Sequence, residues 1–74
     1  MKLNNEILLE CINYIHDYKF NEVESYMFFG EKSILVTVNN FKSDINYYAR
    51  KTVEIYFNDY EIFERKFKLK KIIN

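Results

Sequence analysis

The sequence predicts an α+β fold in which one N-terminal amphipathic helix packs on a small antiparallel sheet of three or four strands. Three observations carry this. Apolar residues recur at helical spacing through residues 3 to 19. Two runs rich in β-branched and aromatic residues, 22 to 29 and 33 to 39, are separated by a short connection that holds the only glycine of the 74 residues. A third run, 51 to 57, is almost wholly β-favouring.

In the first segment Leu3, Ile7, Leu8, Cys11, Ile12, Tyr14, Ile15 and Tyr18 fall on one arc at about 100° per residue. Glu6, Glu10, Asn13 and Asp17 form a narrow stripe opposite. Asn4 or Asn5 can cap the start. Glu6 and Glu10 lie toward the positive end of the helix dipole and Lys19 at its negative end. A hairpin follows, and Gly30 is its expected residue of positive φ. Residues 39 to 44 read as a loop. Residues 45 to 50 are open to a helical turn or a strand, and 51 to 57 read as a strand. Asn58 and Asp59 signal a turn. The last segment, 60 to 71, fits two patterns. As a strand it places Phe63, Phe67 and Leu69 on one face. As a helix it gains the i,i+4 pairs Glu61 with Arg65 and Glu64 with Lys68. The strand is preferred, with the helix kept as the alternative.

Length bounds the chain to a single small domain over residues 1 to 74. A domain this small buries only about 60% of its unfolded surface, so it leans on close packing or on a neighbour. One Cys and one His exclude an intrachain disulfide framework and a Cys/His zinc site. Content of 49% hydrophobic and 19% aromatic residues excludes disorder. No apolar run reaches the roughly 18 residues of a membrane span, and the N-terminus lacks a signal-peptide core. The cytoplasm is the expected compartment, since a lone cysteine fits a reducing one.

Phe, Tyr, Met, Ile, Asn and Lys make up 43 of the 74 residues, whereas Gly, Ala, Arg and Pro make up 4. The first set has A/T-rich codons and the second G/C-rich ones. The chain is therefore expected from an A/T-rich genome, such as a low-GC bacterium, its phages or its mobile elements. Part of the aromatic and lysine surplus is codon usage and carries no functional meaning.

Catalytic apparatus is sparse. Cys11 and His16, the sole classical nucleophile and base, lie five apart on the helix and cannot meet side by side. A single glycine cannot build a phosphate-cradling loop. The chain is expected to be no enzyme and to need no metal or cofactor. Three surfaces remain as candidates. Glu6, Glu10 and Asp17 form an acidic docking face. Arg65, Lys66, Lys68, Lys70 and Lys71 form a basic stripe able to contact phosphate, or to guard a sheet edge against aggregation. The zero net charge is a cancellation between residues 1 to 31, at −4, and residues 50 to 74, at +3. It argues against non-specific nucleic-acid binding.

The third surface is aromatic. The first strand alternates with Val23, Met27 and Phe29 on one face and Tyr26 and Phe28 on the other. With Tyr48 and Tyr56, the second set is expected to form an interface on the sheet face that the helix does not cover. The function expected is thus a non-enzymatic binding protein that covers a surface on a protein partner or on a second copy of itself. An inhibitor of host or defence machinery, of the anti-CRISPR kind, is one such class. A nucleic-acid-binding regulator and a structural homodimer are the alternatives.

Overall fold

The computed structural model describes residues 3–41 and 49–73, with side chains as far as Lys70. The order is α1 (Asn5–His16), β1 (Glu22–Phe29), β2 (Ser33–Asn39), β3 (Arg50–Tyr56) and α2 (Phe57–Ile73). The three strands form one antiparallel sheet in the order β1-β2-β3. This is the expected α+β fold, with the last segment resolved as its helical alternative.

The helix α1 starts because Asn4 has an extended backbone and a side-chain oxygen that accepts from the N–H groups of Glu6, at 2.8 Å, and Ile7, at 3.3 Å. It ends at Asp17, whose N–H still bonds to the Asn13 carbonyl and whose left-handed backbone (φ 49°) lets the next N–H, of Tyr18, reach the same oxygen at 3.2 Å. Asn13 then clamps the following chain. Its amide donates to the Phe20 carbonyl and accepts from the Phe20 N–H. Leu3, Ile7, Leu8, Cys11 and Ile12 are buried as the periodicity predicts. Tyr14, Ile15 and Tyr18 are exposed instead, and Tyr14 sets its ring against Phe63 of α2.

Gly30, at φ 67°, turns the hairpin between β1 and β2. Asn39 and Asn40 are buried and fully employed at the far end. Asn39 donates to Glu22 and accepts from the Phe41 N–H. Asn40 donates to the Tyr18 hydroxyl and brackets Ala49 with both its main chain and its side chain. Entry to and exit from the connection are thereby tied together. Of the expected loop 39 to 44, Asn39 ends β2, and residues 42 to 44 lie outside the described residues, as do 45 to 48.

The preference for a strand at 60 to 71 is overturned. Residues 57–73 are helical, and Asn58 and Asp59 sit in the first turn, not in a turn between strands. Phe57 begins this helix, so β3 stops at Tyr56. The cause is tertiary. Tyr60 is wholly buried, Phe63 and Phe67 pack against the core, and these three share one helical face. The Tyr60 hydroxyl accepts from the Asn4 N–H at 2.9 Å, which joins the starts of the two helices. The expected pair Glu64 with Lys68 is formed at 3.9 Å. Both helices lie on one face of the sheet, over Ile34, Val36, Val38, Val53 and Ile55. Each fully buried aliphatic side chain there contributes roughly 1.5–3 kcal/mol.

Candidate functional site

Residues paired across an antiparallel ladder share a face. The register therefore assigns each strand residue to the helix-covered face or to the open one. On the covered face run Phe28, Ile34 and Ile55, then Tyr26, Val36 and Val53, then Val23 and Val38. On the open face run Phe29, Ser33 and Tyr56, then Met27, Leu35 and Glu54, then Ser25, Thr37 and Thr52.

Among the described residues nothing covers the apolar members of the open face. Phe29 is 53% exposed, Met27 60% and Tyr56 55%, around a half-buried Leu35. All four lie at the hairpin end. A cleft of about 480 Å³, lined by Glu31, Lys32, Tyr56, Phe57, Asn58 and Asp59, opens beside Tyr56. Polar groups fill the rest of the face. The hydroxyls of Thr37 and Thr52 lie 3.0 Å apart. Arg50 reaches across to Glu24 with two hydrogen bonds, at 2.7 and 3.1 Å. Those bonds hold the Glu24 carboxyl below its usual range, against an opposing effect of burial and with help from Asn39 and the Arg50 charge. Ser33 Oγ sits 2.7 Å from Glu54 and 3.0 Å from the Phe29 carbonyl, and its single proton serves one of them at a time. The result is an apolar corner with a polar border, the layout of a protein interface.

The expected aromatic set does not converge. Tyr56 is on the open face. Tyr26 and Phe28 are on the covered one, where Tyr26 packs against the core and Phe28 stacks on Phe57 with ring centroids 5.8 Å apart. Tyr48 lies outside the described residues. A bulge adds Val23 to that covered face. The β1–β2 register shifts between Val23 and Ser25, which puts Val23 on the same face as Tyr26, three residues later. Met27, Phe29 and Leu35 were missed as surface residues, although a signal existed. Thr37 marks the odd-numbered face of β2 as open, and a three-residue connection carries that parity to Met27 and Phe29.

Of the acidic set, Glu6 and Glu10 are exposed on α1 and Asp17 is exposed at its C-terminal cap, while Asn13 of the same stripe is engaged with Phe20. The basic residues are divided by the helix. Lys66 and Lys70 fall one turn apart on one flank, and Lys66 lies 5.4 Å from the centre of the Phe63 ring. Arg65 and Lys68 fall on the other flank, with Lys68 beside Glu64. The Lys71 side chain is outside the described residues.

Cys11 is fully buried, and burial, helped by the charge of Asp59, pushes its thiol up from 9.0 to about 11. His16 is exposed and lines a smaller pocket, of about 290 Å³, with Tyr18, Phe20, Ala49, Arg50 and Lys51. Among the described residues no three His, Cys, Asp or Glu side chains gather as a metal would require. No described helix is long and apolar enough to cross a membrane. No protein-family model matches the chain, and no curated protein or solved structure gives a significant match.

Proposed function

We propose that this chain is a non-enzymatic binding protein that docks on a partner protein through the hairpin end of its open sheet face. One observation carries the reading: Met27, Phe29, Leu35 and Tyr56 form a contiguous apolar corner that no described element covers. Water on such a surface costs roughly 25 cal/mol per Å² of apolar area, which a partner recovers by covering it. Aromatic residues and Met are the types enriched at the centre of interfaces. The cleft beside Tyr56 offers a seat for one anchoring side chain of the partner. Within this class, an inhibitor of host or defence machinery is supported by the small size and by the A/T-biased composition.

The test is affinity capture from a lysate of the native host, after nuclease treatment, with the wild-type chain, Tyr56→Lys and Ile62→Lys. Ile62 is partly exposed on α2, away from the sheet. Wild type and Ile62→Lys should retain the same protein and Tyr56→Lys should lose it. Equal capture by all three would remove the open face from the account.

A nucleic-acid reading is supported by the five cations on α2, Arg65, Lys66, Lys68, Lys70 and Lys71. The four with described side chains divide two to a flank, which gives a log–log salt slope of only about −1.8 per flank on duplex DNA. A nuclease-sensitive complex with a slope near −4 would favour it over protein docking.

A further inference from the structure

The two edges of the sheet are guarded differently. β3 carries the charges Arg50, Lys51 and Glu54 in both halves of its length. Charged residues are a usual protection of an edge strand. β1 has its charges, Glu22 and Glu24, only at the bulged end. Its remaining stretch, Ser25-Tyr26-Met27-Phe28-Phe29, is uncharged, lacks proline and pairs with β2 in unbroken register. Met27, Phe28 and Phe29 are all about half exposed or more. Among the described residues no main-chain group beyond β2 bonds to the outer edge of this stretch. An uncapped row of main-chain donors and acceptors recognises one chemistry, an extended strand.

The geometry points to a second copy of this chain as that strand, with β1 pairing antiparallel to β1 about a two-fold axis at Met27. Charge and register select this occupant. Centring on Met27 sets Ser25 against Phe29, Tyr26 against Phe28 and Met27 against itself, which uses the whole uncharged stretch. It also carries the two Glu24 carboxylates to opposite ends of the ladder, about 20 Å apart. A parallel pairing would bring like charges side by side. The two-fold axis stands perpendicular to the sheet, so both copies keep their helices on one side. The result is a six-stranded sheet whose open faces join, with Met27 of each copy at the seam. The inference holds whether or not the open face docks a foreign protein.

Area sets the strength. Five paired residues make about 17 Å of edge, well short of the roughly 800 Å² per partner of a stable complex. The dimer is therefore weak and dissociates on dilution.

The test uses two cysteine variants of the full chain, Met27→Cys and Leu35→Cys, oxidised gently with oxidised glutathione at high protein concentration. Cys11 is buried and its thiol stays protonated, so it does not compete. Cys side chains at position 27 would face each other across the two-fold, at a spacing a disulfide can bridge. Those at position 35 would be separated from each other by two strands. The expected result is a linked dimer for Met27→Cys, which no longer forms when the oxidation is run at about hundredfold lower protein concentration, and none for Leu35→Cys. Unmodified protein should show the same concentration dependence by sedimentation velocity, and slower amide exchange in 25 to 29 as concentration rises. A wild type that stays monomeric, or crosslinking at 35 in place of 27, would overturn the pairing. A foreign strand found on β1 instead would overturn the second copy as its occupant. Tyr56→Lys separates the two readings, since it should abolish partner capture and leave the crosslink at 27 intact.

Discussion

Alternate residues of one strand meet opposite fates in this sheet. Ile34, Val36 and Val38 of β2 are fully buried beneath two helices. Leu35, between two of them, faces the open side with Met27, Phe29 and Tyr56. Residue type does not separate the two sets at the hairpin end, since both are apolar. Coverage does. One face stabilises the fold, and the other is apolar without serving it. The contrast teaches that apolar residue type does not by itself mark the core of a domain this small, and that strand register does.

The comparison can be broken most forcefully from the covered side. Leu8→Ala or Ile34→Ala should each cost about 2–5 kcal/mol in denaturant unfolding, because each removes fully buried atoms and leaves a cavity. A loss below 1 kcal/mol would mean that the helices are not firmly seated. Alkaline pH attacks the same core. Cys11 has a folded pKa raised from 9.0 to about 11, and burial raises that of Tyr60, with Glu64 nearby adding to it. Above pH 9 the unfolded thiol loses its proton while the folded one keeps it. Stability present in full below pH 9 should therefore fall as pH rises toward 11, by an amount on the order of 2 kcal/mol. Unfolding measured at pH 7, 9 and 10.5 checks this, and Cys11→Ala should flatten the fall.

Smaller effects follow. Tyr60→Phe removes the acceptor of the Asn4 N–H and should cost about 1 kcal/mol, read in the same unfolding curves. Gly30→Ala should cost about 1 kcal/mol for conformation alone, since an added Cβ meets no neighbour within 4 Å at that positive φ. Met27→Thr, on the open side, should change stability by about 0.5 kcal/mol or less.

Much of this was legible in the sequence, for physical reasons that differ by element. α1 showed its arc and its Asn4 cap, and the hairpin showed two β-rich runs around the only Gly. α2 was ambiguous because Phe63 and Phe67, four apart, satisfy both the helical and the strand period. What decided it was the burial of Tyr60 and the contact of Phe63 with Tyr14, and no local pattern encodes those. The bulge between Val23 and Ser25 was silent as well, and it moved Val23 onto the face of Tyr26 and Phe28. The candidate surface was therefore foreseen as an aromatic sheet face, but with Tyr56 as its only correctly placed and described member. Lysines that a strand would have aligned were split by the helix, so the basic stripe lost its coherence.

Ile55 and Tyr56 are neighbours in β3 that point to opposite faces, the first 1% exposed and the second 55%. The most direct test of the account measures both unfolding free energy and affinity for the captured partner in Ile55→Ala and Tyr56→Ala. The account predicts that Ile55→Ala loses about 2–5 kcal/mol of stability and, while folded, still binds. It predicts that Tyr56→Ala folds almost as stably as wild type and binds at least about tenfold more weakly. Unchanged affinity in a well-folded Tyr56→Ala would contradict the central claim that the open face is the working surface.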